Sequence, residues 1–303
     1  MPSSSGKRAV SGLLLLDKPA GYSSNHALQK VKRLFRAEKA GHTGTLDPFA
    51  TGLLPICLGE ATKFSSYGLE SDKRYLATLK LGITTTTGDI EGRILIRHAV
   101  TLSQSDIDHV LPRFRGTISQ IPPIYSALKV AGKPMYDYAR KGLEVERKAR
   151  EVEIKRLDCV SFACDELVID VSCTKGTYIR TLAEDIGAAF ECGAHLTALR
   201  RTASAALRIE QAITLEQLEA LTEIERDAQL LPVDTLLQDT SSIVLESRMV
   251  TRLQQGKVQE AHPDWLSGMV RGYDSNGVFI GLCEVTAEGQ LKAKRLIAEH
   301  VAS

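Results

Sequence analysis

One twelve-residue segment, residues 41–52, constrains this chain more than any other. Its sequence is GHTGTLDPFATG, with glycines at 41, 44 and 52 and a proline directly after Asp47. Glycine permits backbone conformations that other residues avoid, and the proline disfavours helical geometry at the residue before it. The segment therefore predicts a stiff loop that exposes the Asp47 carboxylate. An isolated Asp-Pro pair would on its own be interpreted as an ordinary turn.

The surroundings of this loop favour a functional interpretation. His42, Thr43 and Thr45 place polar groups close to Asp47 in the sequence. The loop then leads into an apolar run over residues 53–58, which predicts a buried strand. Catalytic loops are commonly presented by rigid elements of this kind. Asp47 is therefore the candidate catalytic residue.

Apolar periodicity elsewhere predicts a mixture of strands and helices. Helices are expected to begin after Ser23 or Ser24 and after Ser105, because serine side chains cap helix N-termini well. The first of these helices has a basic polar side. Strands are expected at residues 13–16, from Tyr75 onward, at 149–160 and at 166–173.

Charge is unevenly distributed along the chain. The net charge is only +1, but residues 1–42 hold eight Lys/Arg and two acids, and residues 129–156 hold nine and five. A phosphate backbone responds to a local positive face, so RNA binding requires that these segments converge in space. For either segment alone, a solvated surface without a partner is the simpler interpretation.

Residues 122–150 resemble an insertion, because they begin with two prolines and show little sustained periodicity. Basic residues alternate there with Tyr125, Tyr136 and Tyr138, a composition that suits a surface folding onto RNA. A solvent-facing helix over residues 134–141 is an equally good interpretation of part of the segment.

Residues 176–180 follow a predicted strand and begin a predicted helix, so Tyr178 and Arg180 lie at the junction. An arginine in the first helical turn is electrostatically unfavourable, and a nearby anion would explain it. Two anions are candidates: Asp47, or Glu184 on the next turn of the helix. A pairing with Asp47 would lower the carboxyl pKa and keep the acid ionised.

The C-terminal part predicts a separate small β unit. Gly256 ends a short predicted helix, and Asn276-Gly277 is a strong hairpin signal between two of three predicted strands. We expect a catalytic domain over residues 1–240 and a small β-barrel over residues 241–303. A structural appendage without RNA contacts remains an alternative for the second unit.

Composition predicts location and oligomeric state. No apolar run approaches the ~20 residues that span a bilayer, and the N-terminus lacks the apolar core of a signal peptide. The six cysteines are not spaced as metal ligands, so we expect reduced core residues and no metal site. We expect a cytoplasmic protein without membrane contact, and a monomer because no long heptad repeat is present.

Six separated motifs resemble, in the same order, the pseudouridine synthase family that modifies uridine 55 in the T loop of bacterial tRNA. They are the segments 18–21 (KPAG), 41–52, 74–75 (RY), 121–129 (IPPIYSALK), 176–182 (GTYIRTL) and 193–201, which holds GAHL and LRR. The resemblance is strong over the first two thirds and weaker in the last quarter. It implies an α+β fold: a catalytic domain with a mixed, largely antiparallel sheet, an RNA-binding insertion at about 122–150, and a small C-terminal β-barrel similar to a PUA domain.

The resemblance also implies roles for the residues nearest the chemistry. Asp47 would catalyse the isomerisation and Arg180 would pair with it. Tyr75 would stack on the target uracil and is a candidate to accept the C5 proton, while Tyr178 would pack beside the site. Without the family, a strand tyrosine is more often a core residue than a catalytic one.

Three further roles follow from the same resemblance. His42 would stack on neighbouring bases when the uridine is flipped out, Lys18 would support the motif loop or a phosphate, and Leu199 would form a wall of the uracil pocket. Each has a structural alternative: a hydrogen-bonded histidine, a turn lysine and a core leucine.

The implied reaction is an isomerisation of uridine 55 to pseudouridine, with the tRNA T-arm as partner and no obligatory protein partner. Since redox state and atom count do not change, no cofactor is expected. Asp47 could attack the sugar or the base, or take a ribose proton, and the sequence leaves these routes open. The alternatives are a non-catalytic tRNA-binding or folding protein, a synthase for another RNA, and a glycoside hydrolase, although Asp47 has no acid partner in its motif.

Overall fold

The structure, a computed structural model, describes residues 6–298 except 127, 131–132, 136–137, 139–142 and 144–145. Tyr136 and most of the helix considered over residues 134–141 lie outside the described residues. Within the described part, no helix combines the length and apolar character that crossing a membrane requires.

The described helices are short and few of them exceed two turns. They are α1 (Ser24–Leu34), α2 (Ser65–Glu70), α3 (Gln104–Val110), α4 (Ile179–Ala189), α5 (Leu215–Ala220), α6 (Glu223–Asp227) and α7 (Ser247–Gln254). Four 3₁₀ helices occupy Gly59–Phe64, Leu111–Phe114, Ile209–Gln211 and Thr235–Leu237.

The strands supply the framework. The first nine are β1 (Gly12–Lys18), β2 (Ala40–His42), β3 (Thr51–Leu58), β4 (Lys73–Leu81), β5 (Ile83–Thr85), β6 (Ile94–Arg97), β7 (Gly116–Gln120), β8 (Lys129–Val130) and β9 (Lys133–Pro134). The others are β10 (Arg150–Ala163), β11 (Glu166–Cys173), β12 (Ala194–Ser204), β13 (Leu207–Arg208), β14 (Ile213–Thr214), β15 (Ser242–Val244), β16 (Gln259–Glu260), β17 (Gly268–Tyr273), β18 (Phe279–Val285) and β19 (Gln290–Leu296).

A ten-stranded sheet forms the large unit, in the order β14-β1-β3-β12-β4-β11-β10-β7, with β2 paired to β3 and β13 to β12. The pairs β1–β14 and β3–β12 are parallel, and the other pairs in this sheet are antiparallel. This confirms the expected mixed, largely antiparallel sheet. The parallel β3–β12 pair places the end of the motif loop beside residues 200–201.

The leucine run of β1 is buried on both faces of this sheet. Leu14 and Leu16 belong to the main core, which α1 and α4 cover. Leu13 and Leu15 belong to a second core, to which the C-terminal unit contributes Phe279. A strand covered on both sides is expected to be apolar throughout, since alternate side chains point to opposite faces.

The predicted strands are confirmed, and one predicted helix cap is wrong. Ser23 caps α1 by accepting a hydrogen bond from the His26 backbone N–H at 3.1 Å. Helix α3, however, is capped by Ser103 and not by Ser105. Ser103 and Asp106 bind each other's backbone N–H groups reciprocally, which begins the helix two residues earlier.

The C-terminal unit is a curled five-stranded sheet in the order β15-β17-β18-β19-β16, as expected of a PUA-like half-barrel. Gly256 follows α7 with a φ of +71°, and Asn276-Gly277 lies in the turn between β17 and β18. The unit packs against the large sheet through Phe279 and Phe64, whose ring centroids are 5.6 Å apart. It therefore covers the sheet face opposite α1 and α4.

Candidate active site

The motif loop connects β2 to β3 and carries Asp47. Gly44 and Gly52 have φ values of +138° and +100°, where other residues are strained. A Cβ at Gly52 would lie 2.3 Å from the Arg201 carbonyl oxygen, so no larger residue fits there. Gly41 lies in β2 without a positive φ and with open space around it. The expectation of an unusual backbone is therefore right for two of the three glycines.

Asp47 is paired with Arg180, as one of the two sequence interpretations expected. The Arg180 Nε lies 3.0 Å from Asp47 Oδ2, and Nη2 donates to Oδ1 at 3.2 Å. One edge of the guanidinium, formed by Nε and Nη2, therefore holds the carboxylate in one orientation. The same Nη2 donates to the Tyr125 carbonyl at 2.7 Å, which brings the start of the 122–150 segment to the site.

A second carboxylate shares this guanidinium, and the sequence alone did not reveal it. Asp89 Oδ2 lies 3.6 Å from Arg180 Nη1, and its side chain is 4% exposed. Its Oδ1 accepts hydrogen bonds from the Thr87 hydroxyl at 2.5 Å and from the Glu91 N–H at 3.0 Å. Asp89 directly follows the threonine-rich stretch 84–88, and an acid at the end of such a stretch was the sequence signal that could have identified it. In the described part of the chain, the ion pairs of Arg180 involve these two carboxylates and not Glu184.

The pKa of Asp47 is raised above its ordinary value. Burial raises it most, Arg180 and Lys18 act to lower it, and Asp89 adds to the rise. The expected effect of Arg180 is present, but the net shift is opposite to the prediction because burial outweighs it. The acid predicted to be exposed is only partly so, since its side chain is 31% exposed. That fraction leaves the carboxylate accessible to a ligand.

Lys18 lies beneath the motif loop and is fully buried. Its ammonium donates to the carbonyls of Tyr22 at 2.6 Å, Pro19 at 2.9 Å and Pro48 at 3.3 Å. Burial lowers the pKa of Lys18 to about 8, although the Asp47 charge acts to raise it. Of the two roles expected for Lys18, this geometry suits support of the loop, because a phosphate could not reach a fully buried ammonium.

Tyr75 and Leu199 lie on neighbouring strands of the large sheet. Tyr75 on β4 is paired across the strands with Arg201 of β12, and Leu199 is paired with Ala77. Burial raises the pKa of Tyr75, the Arg201 guanidinium acts to lower it, and the Asp47 charge raises it further. Tyr75 therefore lies within the electrostatic field of Asp47. Leu199 is 7% exposed and packs in the same core as Tyr75.

Tyr178 is the N-cap residue of α4, two positions before Arg180. Gln120 fixes its backbone with two hydrogen bonds: its side-chain oxygen accepts from the Tyr178 N–H at 3.0 Å, and its amide donates to the Tyr178 carbonyl at 3.2 Å. The Arg150 guanidinium lies 4.8 Å from the centre of the Tyr178 ring, in a cation–π contact. The backbone and the ring of Tyr178 are therefore both held at the start of the helix that carries Arg180.

The polar residues next to Asp47 in the sequence do not surround its carboxylate. His42 ends β2 and is half-buried, with Nδ1 accepting a long hydrogen bond of 3.4 Å from the Gly44 N–H. Burial lowers the pKa of His42, and Arg201 lowers it further. Thr43 is buried and Thr45 is exposed. The charged neighbours of Asp47 instead come from distant segments of the chain.

Arg201 is the second residue of the site whose role the sequence did not indicate. Its side chain is 1% exposed. Its Nε donates to the Leu53 carbonyl at 2.7 Å, and Nη2 donates to the Gly44 carbonyl at 3.2 Å. The segment was recognised as part of a motif, but its residue types gave no sign that one arginine is buried and the other exposed.

A cavity of 420 Å³ lies beside the motif loop and does not include Asp47. Charged residues that line this cavity pair with one another: Arg200 pairs with Asp17 at 2.6 Å, and Lys30 pairs with Glu219 at 2.5 Å. Thr51 of the motif loop and Lys18 line this cavity, but Asp47 does not.

Comparison with known proteins identifies the family. Residues 32–179 match the model of the TruB family pseudouridylate synthase (N terminal domain). Residues 180–238 match the tRNA pseudouridylate synthase B C-terminal domain, and residues 241–297 match Pseudouridine synthase II TruB, C-terminal.

Curated relatives agree over almost the whole chain. A protein of Thiobacillus denitrificans named tRNA pseudouridine synthase B is 54% identical over 96% of this chain and 97% of its own length. Proteins of the same name from Burkholderia mallei and Methylobacillus flagellatus are 52% and 50% identical, over 96% and 97% of this chain and 98% and 97% of their own lengths.

Solved structures support the fold. A Cbf5-Nop10-Gar1 complex matches with a TM-score of 0.71 and 24% identity, over 95% of this chain and 84% of the matched chain. An H/ACA RNP bound to a substrate RNA containing 2'-deoxyuridine matches with a TM-score of 0.70 and 22% identity, over 96% and 86%. With three family models and relatives that are half identical along its length, this chain belongs to the TruB family of pseudouridylate synthases.

Proposed function

We propose that this chain converts uridine 55 in the T loop of tRNA to pseudouridine. The observation that carries the proposal is the Asp47 carboxylate, held by Nε and Nη2 of Arg180 at 3.0 and 3.2 Å and still 31% exposed. An accessible carboxylate in a fixed orientation suits chemistry at a glycosyl carbon that becomes electron-poor. Family membership supplies the reaction class, and the relatives named tRNA pseudouridine synthase B supply tRNA as the substrate.

The reaction breaks the N1–C1′ bond, turns the base, joins C5 to C1′, removes the C5 proton and returns a proton to N1. Asp47 acts on the sugar or base as a nucleophile, or takes a ribose proton. Arg180 has to keep Asp47 ionised, because burial alone favours the neutral acid. Tyr75 stacks on the uracil and relays the proton: its hydroxyl gives its own proton to N1 of the pyrimidine and takes the one that leaves C5, so that the protons balance. The isomerisation needs no cofactor, because every atom and electron of the uridine is retained.

A stacked uridine has to be extruded before it can reach Asp47. His42, whose lowered pKa favours the neutral ring at pH 7, occupies the space that the base leaves and stacks on its neighbours. Tyr178 and Leu199 bound the uracil pocket. Lys18 fixes the motif loop from below through the Pro48 carbonyl.

The rest of the chain holds the RNA. The catalytic domain spans residues 1–240, and the curled sheet of residues 241–303 binds RNA as a PUA-like domain. The segment 122–150 contacts the T-arm, and its Tyr125 carbonyl already binds Arg180. The protein acts in the cytoplasm as a monomer without an obligatory protein partner.

The three alternative functions predict different outcomes with the same RNA. A synthase for another RNA would form pseudouridine, but not at uridine 55 of the T-arm. A non-catalytic tRNA-binding protein would bind without product. A glycoside hydrolase would release free uracil, and it would need a second carboxylate that reaches the substrate. Asp89 does not suit that role, because its side chain is 4% exposed and already accepts three polar contacts.

The decisive experiment incubates the full chain with an unmodified T-arm stem-loop and maps pseudouridine at single-nucleotide resolution. A stem-loop with cytidine at position 55 and the Asp47→Asn chain are the matched controls. Pseudouridine at position 55 alone, absent from both controls, is the expected result. Binding without product, product at another position, or free uracil would each contradict the proposal and identify one of the alternatives.

A further inference from the structure

Three arginines near the motif loop are compensated in different ways. Arg180 is shared by two carboxylates. Arg200 pairs with Asp17 through both nitrogens, at 3.0 and 2.6 Å, and its side chain is 40% exposed. Arg201 is 1% exposed, and among the residues that the structure describes no carboxylate lies within 4.0 Å of it. It is a buried positive charge whose hydrogen bonds go to backbone carbonyls.

Such an arrangement is costly for folding. A buried charge without a counter-charge loses its hydration, and carbonyl dipoles restore only part of that loss. A stability role alone would be served as well by a neutral side chain of similar size. The position of the charge must therefore explain its presence.

The Arg201 side chain binds carbonyls within and just after the motif loop, and the Arg201 backbone pairs with the strand that carries Tyr75. One bond reaches the Gly44 carbonyl inside the loop, and the other reaches the Leu53 carbonyl just after it. Its backbone is paired with Gly52 on one side and with Tyr75 on the other.

The loop packs closely against the β12 backbone at this arginine. A Cβ at Gly52 would lie 2.8 Å from the Arg201 backbone nitrogen, and a Cβ at Gly44 would lie 3.4 Å from its Nη1. The two glycines with positive φ are thus the residues that pack against Arg201. The close approach at Gly52 fixes one end of the loop against the β12 backbone, and the Arg201 side chain holds Gly44 through the hydrogen bond to its carbonyl.

We propose that Arg201 is a positioning residue of the isomerase site: its guanidinium holds the motif loop in place beside the strand that carries Tyr75, and its unneutralised charge acts on the Tyr75 hydroxyl. The proposal rests on the function proposed above. The guanidinium interacts with the Tyr75 side chain and opposes the rise in its pKa that burial causes. A fixed positive charge here stabilises negative charge that develops on the tyrosine oxygen or the uracil as protons move.

The test separates charge from hydrogen bonding. Arg201→Lys keeps the charge, Arg201→Gln keeps a neutral donor, and Arg200→Gln is the matched control on the neighbouring, exposed arginine. Rates are measured in single turnovers on the T-arm stem-loop, below the melting temperature of each variant. We expect Arg201→Gln to lose at least about 30-fold in rate, Arg201→Lys less than about fivefold, and the control less than about threefold. The dissociation constant for the RNA should change by less than about threefold in all of them.

A double-mutant cycle tests whether Arg201 acts through Tyr75. In a Tyr75→Phe background, Arg201→Gln should cost less than a third of its cost in the parent chain, in units of log rate. Fully additive losses would place the effect of Arg201 in the fold and overturn the role. If Tyr75→Phe reacts too slowly to measure, the comparison of the Lys and Gln variants decides.

The contradicting outcomes are distinct. A folded Arg201→Gln chain that keeps its rate within about threefold overturns the role of Arg201, as do equal losses in the Lys and Gln variants. If the Gln variant does not melt cooperatively, a folded Lys variant with a loss of about 30-fold or more also overturns it. If the unsubstituted chain forms no pseudouridine in the same assay, the proposed function itself fails.

Discussion

Two regions of this molecule bury charged side chains in opposite ways. Around the motif loop, Lys18 and Arg201 are buried against carbonyls, and the Asp47 carboxylate is partly exposed with a raised pKa. At the junction with the C-terminal unit, Asp234 accepts hydrogen bonds from Arg271 at 3.1 Å and from the Tyr273 hydroxyl. The first region keeps charges that are poorly compensated, whereas in the second the negative charge of Asp234 is matched by the positive charge of Arg271.

The difference separates function from stability. Perturbed charges in an accessible site are typical of catalysis and are maintained at a cost in folding free energy. The junction is surrounded by apolar residues, among them Phe64 and Phe279, and has the features of an interface that fixes two units together. Substitutions at the loop should therefore change the rate more than the stability, and substitutions at the junction should do the reverse.

The largest effect is expected for Asp47→Asn. The rate of pseudouridine formation should fall at least about 1,000-fold, equivalent to about 4 kcal/mol of activation free energy. The melting temperature should stay the same or rise. The raised pKa of Asp47 stabilises the fold in acid, and this contribution is lost as pH rises through the folded-state pKa, so the ionised carboxylate is unfavourable at neutral pH.

The matched control is Asp72→Asn, at an exposed carboxylate that pairs with Lys155. It should leave the rate unchanged within about twofold, because exposed pairs contribute little. Single-turnover rates and thermal melts of both variants supply the measurement. A marked fall in melting temperature for Asp47→Asn would contradict the distinction between the two regions.

Arg180→Gln should affect both rate and stability. The variant leaves Asp47 and Asp89 buried without their shared cation, so we expect a rate loss of about 100-fold and a loss of about 2–4 kcal/mol in the free energy of unfolding. Protonation of Asp47, whose pKa is already raised in the parent chain, relieves the repulsion, so the loss of stability should be smaller at pH 5 than at pH 7.5. Urea unfolding at the two pH values measures this. An equal loss at both would contradict the shared role of the guanidinium.

Local patterns in the sequence predicted the motif loop, the alternating strands and a cap at Ser23 or Ser24, of which the structure has Ser23. They did not predict which serine caps α3, because Ser103 and Ser105 each have an aspartate three residues later. Both choices satisfy the same capping rule, and packing of the following turn decides between them.

Only part of the site was predicted, because its contacts join residues that lie far apart in the sequence. The pairing of Asp47 with Arg180 joins residues 133 positions apart, and the sequence offered Glu184 as an equal partner until family resemblance favoured Asp47. Asp89 and Arg201 were missed because burial is a property of the folded sheet and not of residue type. The net pKa of Asp47 could not be predicted either, since it depends on burial and on Asp89 as well as on Arg180.

Phe279→Ala tests the other region. The Phe279 ring packs against Phe64 at 5.6 Å and against Tyr273 at 5.5 Å between centroids. Removing it leaves a cavity between the two units, and we expect a loss of about 3 kcal/mol in the free energy of unfolding. The single-turnover rate on bound RNA should stay within about threefold of the parent chain.

The neighbouring Val278→Ala is the matched control, because Val278 is 44% exposed. It should cost less than about 0.5 kcal/mol. Urea unfolding followed by both fluorescence and circular dichroism reports whether the C-terminal unit separates from the large sheet first. A rate loss in Phe279→Ala as large as that of Arg180→Gln would remove the distinction between junction and site.

The smallest effect is expected for Tyr273→Phe, which removes one hydrogen bond from Asp234. Asp234 keeps Arg271 as a partner, so the loss in the free energy of unfolding should be about 1 kcal/mol at pH 8. Burial and Asp234 raise the pKa of Tyr273 to about 12. Because this folded-state pKa lies above the ordinary value of 10.0, the stabilisation by the neutral hydroxyl is complete below pH 10 and is lost towards pH 12. The difference between parent and variant should therefore shrink as pH rises through this range. Urea unfolding at pH 8 and pH 11 measures it, and a constant difference would mean that Tyr273 stabilises the junction by packing and not through its hydroxyl.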